Sequence, residues 1–285
     1  METKDTIEGI TSQFNHDEGG IYLDYNATTP VLPAVWQQAA PYLTEHFGNP
    51  SSSHWAGHTP KEAIHRARTQ VAMLIGACPE QIIFTSGGTE ANYLALWGVL
   101  RDSDGGLILS STIEHPAVSD PIQQLCRRNW HHQTLAVDTS GVILHQEIHR
   151  YLTTKVDAVS VMLANNETGM IQPVAQLRDV LGDSVYIHTD AAQAVGKIPV
   201  NVRALDVDAL TIAGHKLYAP KGIGALYMKN PEQLRPIMQG GGQEFGRRAG
   251  TENTPYIVAL GAAAQLAYET LDAETVRLTR LRDQL

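Results

Sequence analysis

The stretch TIAGHKLYAPKGIGALY, residues 211–227, decides how this chain is interpreted. It begins within an apolar run, residues 209–213, that has the composition of a buried strand, and Lys216 follows directly after that run. A second apolar run, residues 185–187, leads in the same way to Asp190. Neighbouring strand ends that carry one lysine and one carboxylate match the needs of pyridoxal 5′-phosphate (PLP), because the amine forms a Schiff base and the carboxylate pairs with the pyridinium nitrogen.

Short apolar runs alternate with helix-like segments along the middle of the chain. Strands are predicted at residues 81–85, 107–111, 156–163, 185–189, 209–213 and 225–229. Helices are predicted at residues 89–100, 116–130, 174–181, 257–268 and 273–285. This alternation is typical of the α/β class, with a mostly parallel central sheet covered by helices on both faces. Ligands of such sheets bind beyond the carboxyl ends of the strands.

Composition restricts the class of protein. A chain of 285 residues that is 43% hydrophobic can bury a full core. Its formal net charge of −9 argues against a nucleic-acid or anionic-membrane partner, and no apolar run approaches the length of a membrane span. The polar N-terminus lacks the apolar core of a signal peptide. Two cysteines make no disulfide framework, so a cytoplasmic location is expected.

The lysine and its neighbours each have a simpler explanation. Burial after a strand lowers the pKa of Lys216 and frees its amine to attack an aldehyde, yet most lysines at strand ends are solvated. Asp190 could instead cap the following helix. Gln193 could hydrogen-bond the phenolic oxygen of the cofactor or face solvent. The three residues together favour a PLP site more strongly than any one of them does alone.

The segment SGGTEAN, residues 86–92, links a predicted strand to a predicted helix. Glycines such as Gly88 let the backbone approach a ligand closely, and the helix N-terminus offers free N–H groups to a phosphate. Thr89 can cap the helix and bond a phosphate oxygen. The segment is neither a Walker loop nor a GxGxxG fingerprint, which disfavours a nucleotide. His115, just past another strand, could stack on a planar cofactor and shuttle protons, or be an ordinary loop histidine.

Metal and thiol chemistry find little support. His145 and His149 are four residues apart, as in a metal-binding pair, but the pattern is not HExxH and no suitably spaced third ligand follows. We therefore expect no metal site and a solvated helix face. Cys126 shares a helical face with apolar residues and is expected in the core, while Cys78 precedes a turn. Neither has the cationic setting that activates a thiol.

Taken together, the motifs resemble those of cysteine desulfurases of the NifS/IscS group, which belong to the class V aminotransferase superfamily of PLP fold type I. The resemblance extends from about Leu23 to the end of the chain. The motifs are LDYNATTP (residues 23–30), FGNPSSSHWAG (47–57), FTSGGTEAN (84–92), EHPAV (114–118), NNETGMIQP (165–173), HTDAAQAVGK (188–197), GHKLYAPKGIGALY (214–227) and GGGQEFGRRAGTENTP (240–255).

The resemblance implies a role for each matched residue around the ring of the cofactor. Lys216 is implied to be the Schiff-base lysine and the base that removes the Cα proton. Asp190 is implied to pair with the pyridine nitrogen and Gln193 with the phenolic oxygen. His115 is implied to stack on the ring and act as an acid or base. Asn166 is implied to lie beside the substrate carboxylate.

The phosphate end and the reaction follow from the same resemblance. Thr89 and His215 are implied to hold the phosphate, in the loop that contains Gly88, and Thr251 to reach in from the second subunit of a homodimer. The implied reaction converts L-cysteine to L-alanine and leaves an enzyme persulfide, which supplies sulfur for iron–sulfur clusters and other acceptors, through a sulfur-acceptor or scaffold protein. Where Ala213 stands, relatives often carry a serine, so one phosphate donor is expected to be absent.

The domain prediction also follows from the resemblance. Residues 1–20 are expected to be an N-terminal segment, 21–265 the large PLP-binding domain, and 266–285 the start of a helix leading to a small C-terminal domain that is largely absent. The nucleophilic cysteine and the arginine that holds the substrate carboxylate are expected beyond Leu285, so weak or no activity is expected of this chain alone. Two alternatives remain: a selenocysteine lyase, and a non-catalytic PLP-binding fragment or half of a split enzyme.

Overall fold

Within residues 22–284, which a computed structural model describes, seven strands form one sheet. They are β1 (Ile82–Thr85), β2 (Gly106–Ser111), β3 (Trp130–Leu135), β4 (Ala158–Ser160), β5 (Tyr186–Asp190), β6 (Ala209–Ala213) and β7 (Gly224–Met228). Their order across the sheet is β1-β7-β6-β5-β4-β2-β3. The predicted N-terminal segment, residues 1–20, and Leu285 lie outside the described residues.

The sheet is parallel except at one strand. β7 runs antiparallel to both β1 and β6, and all other neighbours are parallel. Asp190 at the end of β5 is aligned with Thr211 on β6, so the segment that follows β6 emerges beside Asp190. This confirms the predicted mostly parallel α/β sheet and places the expected lysine and carboxylate at one edge.

Helices cover both faces of the sheet. They are α1 (Pro33–Ala39), α2 (Pro41–Thr44), α3 (Trp55–Ile75), α4 (Gly88–Leu100), α5 (Pro116–Cys126), α6 (His145–His149), α7 (Leu177–Leu181), α8 (Val202–Leu205) and α9 (Thr254–Gln284). Helices α3 and α9 pack against each other and share a core with Leu210 and Ile212 of β6. Helix α4 covers the opposite face through a second apolar cluster that includes Leu94 and Leu226.

Two predicted segments differ from the structure, and two elements of the structure, β3 and α3, were not predicted. The helix predicted to reach residue 130 ends at Cys126, and β3 begins at Trp130. This edge strand reads WHHQTL and is polar at most positions, so it lacks an apolar run. Strand β4 occupies only three of the eight residues predicted for it. Helix α3 was not predicted, because Gly57 and Pro60 in its first two turns are residues that usually interrupt helices.

The last helix is continuous where the sequence predicts two segments. Helix α9 has 31 residues, and its first half buries Ile257 and Leu260. Its second half exposes apolar side chains, with Val276 72% exposed and Leu281 45% exposed. The predicted boundary after residue 265 therefore falls within one helix. No helix among residues 22–284 combines the length and apolarity needed to cross a bilayer.

Candidate active site

A cleft of about 630 Å³ lies beyond the carboxyl ends of β5 and β6. It brings together eight of the nine residues predicted for the site from distant parts of the chain. These are Gly88, Thr89, His115, Asn166, Asp190, Gln193, His215 and Lys216. The ninth, Thr251, lies outside this cleft.

Asp190 forms the buried floor of the cleft. Its Oδ1 accepts a hydrogen bond from the backbone N–H of Ala192 over 2.9 Å, and its Oδ2 accepts one from Nδ2 of Asn92 over 2.7 Å. Burial raises the pKa of Asp190, while these two hydrogen bonds and the nearby charges of His115 and Lys216 oppose the increase. A carboxylate in this state gains stability from a cationic partner inside the cleft.

Lys216 lies in the wall of the cleft, on the tight turn Gly214–Lys216 that follows β6. Its Nζ donates to the backbone carbonyls of Asn26 and Ala27, the second over 2.8 Å. Partial burial lowers the pKa of Lys216, although Asp24 and Asp190 act in the opposite direction. A lowered pKa increases the fraction of amine that can attack a carbonyl group.

The N-terminal segment around Thr28 and Thr29 holds the turn that carries Lys216. The backbone N–H of Thr29 donates to the carbonyl of His215 over 3.0 Å, and the Thr29 hydroxyl accepts from the N–H of Tyr218 over 3.0 Å. Tyr218 has a left-handed backbone with φ of 66°, which is unusual for an aromatic residue. The His215 ring is paired through Nδ1 with the hydroxyl of Thr28 over 3.1 Å. The lysine is thus fixed by residues almost two hundred positions earlier in the chain.

The glycine segment and the start of α4 form a cup beside the lysine. The helix begins at Gly88, so its first N–H groups lack helical acceptors and suit a phosphate. A Cβ on Gly88 would lie 3.1 Å from the methyl carbon of Ala213, which shows how closely this turn approaches β6. Ala213 has no hydroxyl group and therefore cannot donate a hydrogen bond to a phosphate from this position. The carboxylate of Glu90 accepts from the N–H of Ser86 over 2.5 Å and braces the turn.

The histidine predicted to face the cofactor directly precedes α5 and caps its N-terminus. His115 accepts a hydrogen bond at Nδ1 from the N–H of Ala117 over 3.1 Å. The proton of the neutral ring is therefore on Nε2. The preceding residue, Glu114, accepts from the Ser111 hydroxyl and from the N–H of Met162, the latter over 2.8 Å. These bonds tie the segment to the ends of two strands and hold the ring at the rim of the cleft.

Glu114 itself has a protonation state unlike that of an ordinary carboxyl group. Burial raises its pKa to about 8, and the nearby charge of Asp190 adds to the increase. Its Oε2 is buried without a hydrogen-bond partner among the described residues. Glu114 is therefore largely neutral at pH 7 and does not add a second charge beside Asp190.

Sequence reasoning missed three residues that the structure brings to this site. Asn92 lies on α4 and bonds Asp190, and its only signal was its place within the glycine-rich motif. Asn26 lies in the N-terminal segment and accepts from Lys216. Lys197 donates to both Asn26 and Gln193. Asn26 and Lys197 lie within the motifs LDYNATTP and HTDAAQAVGK, but their role could not be predicted, because it depends on contacts between distant segments.

Thr251 is exposed and borders a separate small pocket of about 210 Å³ with Thr85 and Ser86. The loop that carries it is held by Glu244, which forms a buried bidentate ion pair with Arg68. This position neither joins nor blocks the cleft of the same chain. The predicted contact with the site of a second subunit stays a prediction.

Both cysteines lie outside the cleft. Cys126 is exposed, so the prediction that it belongs to the core was wrong. It is the last residue of α5, where the helix projects beyond the apolar contacts that bury Leu125. Cys78 is also exposed. Over residues 22–284 no group of His, Cys, Asp and Glu has the arrangement of a metal site, and Glu147, between the two histidines of the HQEIH motif, is buried and paired with Arg150 over 2.7 Å.

Comparison with known proteins places this cleft in a family. Residues 21–282 match the family described as Aminotransferase class-V. A cysteine desulfurase IscS of Dictyoglomus turgidum is 44% identical over 92% of this chain and 68% of its own length. A mouse cysteine desulfurase is 42% identical over 93% of this chain and 59% of its own length. The chain thus spans about two thirds or less of the length of these relatives.

Solved structures agree with the sequence relatives. A NifS-like protein has a TM-score of 0.89 at 34% identity, covering 93% of this chain and 74% of its own. A structure described as SspA in complex with cysteine has a TM-score of 0.83 at 36% identity, covering 86% of this chain and 72% of its own. The chain therefore belongs to the class-V aminotransferase family.

The enzymes of this family depend on PLP, and the residues of the cleft fit that cofactor. Asp190 is buried and needs a cationic partner, Lys216 is an amine of lowered pKa, and the start of α4 offers unpaired N–H groups. The three groups match the pyridine nitrogen, the aldehyde and the phosphate of one molecule. PLP is the cofactor of this protein.

Proposed function

We propose that this chain is the PLP-binding part of a cysteine desulfurase, which converts L-cysteine to L-alanine and passes sulfur to a thiol. The observation that carries the proposal is the convergence of Lys216, Asp190 and His115 on one cleft. The names of the relatives support cysteine as substrate over selenocysteine, since those cited are cysteine desulfurases. The proposal includes sulfur supply for iron–sulfur clusters and a cytoplasmic location.

Each of these residues of the cleft is assigned to one part of the cofactor. Lys216 would hold its aldehyde carbon, Asp190 its pyridine nitrogen, and Gln193 its phenolic oxygen. Thr89, Gly88 and His215 would hold its phosphate at the start of α4. When bound, PLP supplies an electron sink that makes the Cα proton of an amino acid acidic.

Proton transfer is assigned to two side chains of the chain itself. Lys216, once displaced by the substrate amine, is the base that takes the Cα proton, and its lowered pKa suits this role near neutral pH. His115 carries its proton on Nε2 and can donate it to a substrate group at the rim of the cleft. Asn166 lies at the same rim and is assigned to the substrate carboxylate.

The sulfur-accepting thiol is assigned elsewhere. Neither cysteine of this chain lines the cleft, and both lie on other surfaces. We propose that the thiol and the arginine for the substrate carboxylate belong to a small domain, against which the exposed apolar side chains of α9 pack. Residues 21–265 are proposed as the large domain. A homodimer, in which Thr251 completes the phosphate site of the partner subunit, and a sulfur-acceptor protein complete the proposal.

Two measurements on the purified chain test this function. First, incubation with PLP is expected to give a visible absorbance band that Lys216→Ala abolishes and Lys221→Ala retains, since Lys221 is exposed on the same loop. Second, NMR in deuterated water is expected to show exchange of the Cα proton of L-cysteine, because that step needs no thiol. Exchange should be lost in Lys216→Ala. A wild-type chain without the band, or with the band but no exchange, would contradict the proposal.

A further inference from the structure

Lys197 is a half-buried lysine that has no role in the mechanism above. It lies seven residues after the end of β5, and its Nζ donates to Oε1 of Gln193 over 2.5 Å and to Oδ1 of Asn26 over 3.2 Å. The same two residues contact the cleft. Lys197 therefore contacts the cleft indirectly, through two residues that line it.

The contact with Gln193 determines which end of that amide faces the cleft. An ammonium group has three donors and no acceptor, so only the amide oxygen of Gln193 can face Lys197. The Nε2 group is then directed away and donates to the carbonyl of Asn26 over 3.0 Å. It is thus the NH₂ end of Gln193, a donor, that remains for a ligand in the cleft.

The contact with Asn26 brings Lys197 close to Lys216. The carbonyl of Asn26 accepts from Nζ of Lys216, while its side-chain oxygen accepts from Nζ of Lys197. Two ammonium groups on one residue repel each other. Burial and, to a smaller extent, the charge of Lys216 lower the pKa of Lys197 to about 8. By reciprocity, a charged Lys197 disfavours protonation of Lys216.

Other charged groups around the pair come from several elements. Asp24 and Asp190 favour the charged form of Lys216, and His215 follows β6 beside it. Glu274 and Arg277 of α9 border a second pocket together with Lys197 and Lys216. Lys197 adds a positive charge on the side of Lys216 that faces Asn26.

We propose that Lys197 is a positioning residue of this site: its ammonium directs the NH₂ group of Gln193 toward the cleft, and its charge, held on the same Asn26 that binds Lys216, opposes protonation of the Lys216 amine. The role in amine chemistry rests on the proposed function. The contacts themselves do not, so the first test uses the protein without PLP.

The charge effect is measured by pulse acetylation of the PLP-free full chain between pH 6.5 and 10.5, with modification at Lys216 quantified by peptide mass spectrometry. Lys197→Met is expected to raise the midpoint for Lys216 by about one pH unit, a tenfold change in proton affinity. Lys197→Arg should stay near wild type because it keeps the charge. Lys221→Met is the matched control and should have no effect, since Lys221 is exposed to solvent.

An unchanged midpoint in Lys197→Met, or an equal rise in Lys197→Arg, would overturn the charge effect. If Lys197→Met does not fold, as judged by circular dichroism, Lys197→Gln is used in place of that variant, because it removes the same charge. The orientation of Gln193 is tested by PLP affinity in a double-mutant cycle with Gln193→Leu. Lys197→Met is expected to weaken PLP binding several-fold in the wild-type background and to have no further effect in the Gln193→Leu background. If the losses of affinity from the two substitutions are additive, Lys197 does not orient Gln193.

Discussion

Asn92 and Asp190 are joined by a hydrogen bond of 2.7 Å between Nδ2 and Oδ2, and both side chains are buried. The bond connects the second turn of α4 to the end of β5. Burial alone raises the pKa of Asp190, and the donors on Asn92 and Ala192 offset part of that increase. Asn92 therefore helps Asp190 to stay ionised, which is the form that pairs with a pyridinium group.

We predict that Asn92→Ala weakens PLP binding by about tenfold or more, because hydrogen bonds to charged groups contribute about 1.5–3 kcal/mol. The measurement is a titration of apo-protein with PLP, followed by visible absorbance. Tyr93→Phe is the matched control, since it removes a hydrogen bond from the next residue of the same helix to Gln124. Equal weakening in both variants would show a general effect on α4 instead.

A second prediction concerns the methyl group of Ala213, which faces Gly88 at the start of α4. Ala213→Ser adds a hydroxyl donor beside the start of α4. We expect PLP to bind about fivefold more tightly, the equivalent of about 1 kcal/mol for one added hydrogen bond. The same titration with pyridoxal, which lacks the phosphate, is the control. Tighter binding of pyridoxal to the same extent would contradict a contact with the phosphate.

The strands that carry the site could be predicted because they are buried on both faces. Strands β5 and β6 form apolar runs bounded by polar residues, and Asp190 and Lys216 follow them directly. Edge strand β3 could not be predicted in this way, because its four central residues, HHQT, are polar and none of them is buried. Helix α3 was hidden by the glycine and proline near its start.

The residues that support the site were harder to predict from the sequence than those that line it. Asn26 and Lys197 are separated by 171 positions, and their hydrogen bond depends on how the N-terminal segment folds over the end of the sheet. Glu114 resembles any loop carboxylate in the sequence. Its protonation follows from burial of the carboxyl group, which only the packed structure reveals.

The neutral state of Glu114 leads to a prediction about pH. Its pKa is raised from 4.5 to about 8 by burial. In the unfolded chain the group ionises near pH 4.5, whereas in the folded chain it stays protonated until about pH 8. The folded state thus binds more protons between these values, so this group lowers the free energy of unfolding as the pH rises through that window.

Glu114→Gln should remove this dependence while keeping the shape and polarity of the side chain. We expect the variant to unfold at nearly the same urea concentration as wild type at pH 5, and at a higher concentration at pH 8. Asp138→Asn is a contrasting control, because its exposed carboxylate has a lowered pKa and is ionised in both the folded and the unfolded chain from pH 5 to pH 8, so its effect on stability should not change across this window. A difference between Glu114→Gln and wild type that does not change with pH would contradict a protonated Glu114.

The final prediction concerns the ion pair that holds the loop of Thr251. Nη1 and Nη2 of Arg68 donate to the two carboxylate oxygens of Glu244 over 2.7 and 2.6 Å, and the side chains are 7% and 2% exposed. Glu244 also accepts from the N–H of Phe84 over 2.9 Å. Since Arg68→Ala leaves the carboxylate buried without its cation, we expect a loss of about 3–5 kcal/mol in the free energy of unfolding.

Arg282→Ala provides the comparison, because the side chains of Arg282 and its partner Asp283 are 72% and 60% exposed, and an exposed pair contributes at most about 1 kcal/mol. Denaturant unfolding of both variants gives the two energies. The double variant Arg68→Met with Glu244→Gln removes both charges and should recover much of the stability lost in Arg68→Ala. If the double variant is instead less stable than Arg68→Ala, the cost does not arise from an unpaired buried carboxylate, and the loop is held by its other contacts.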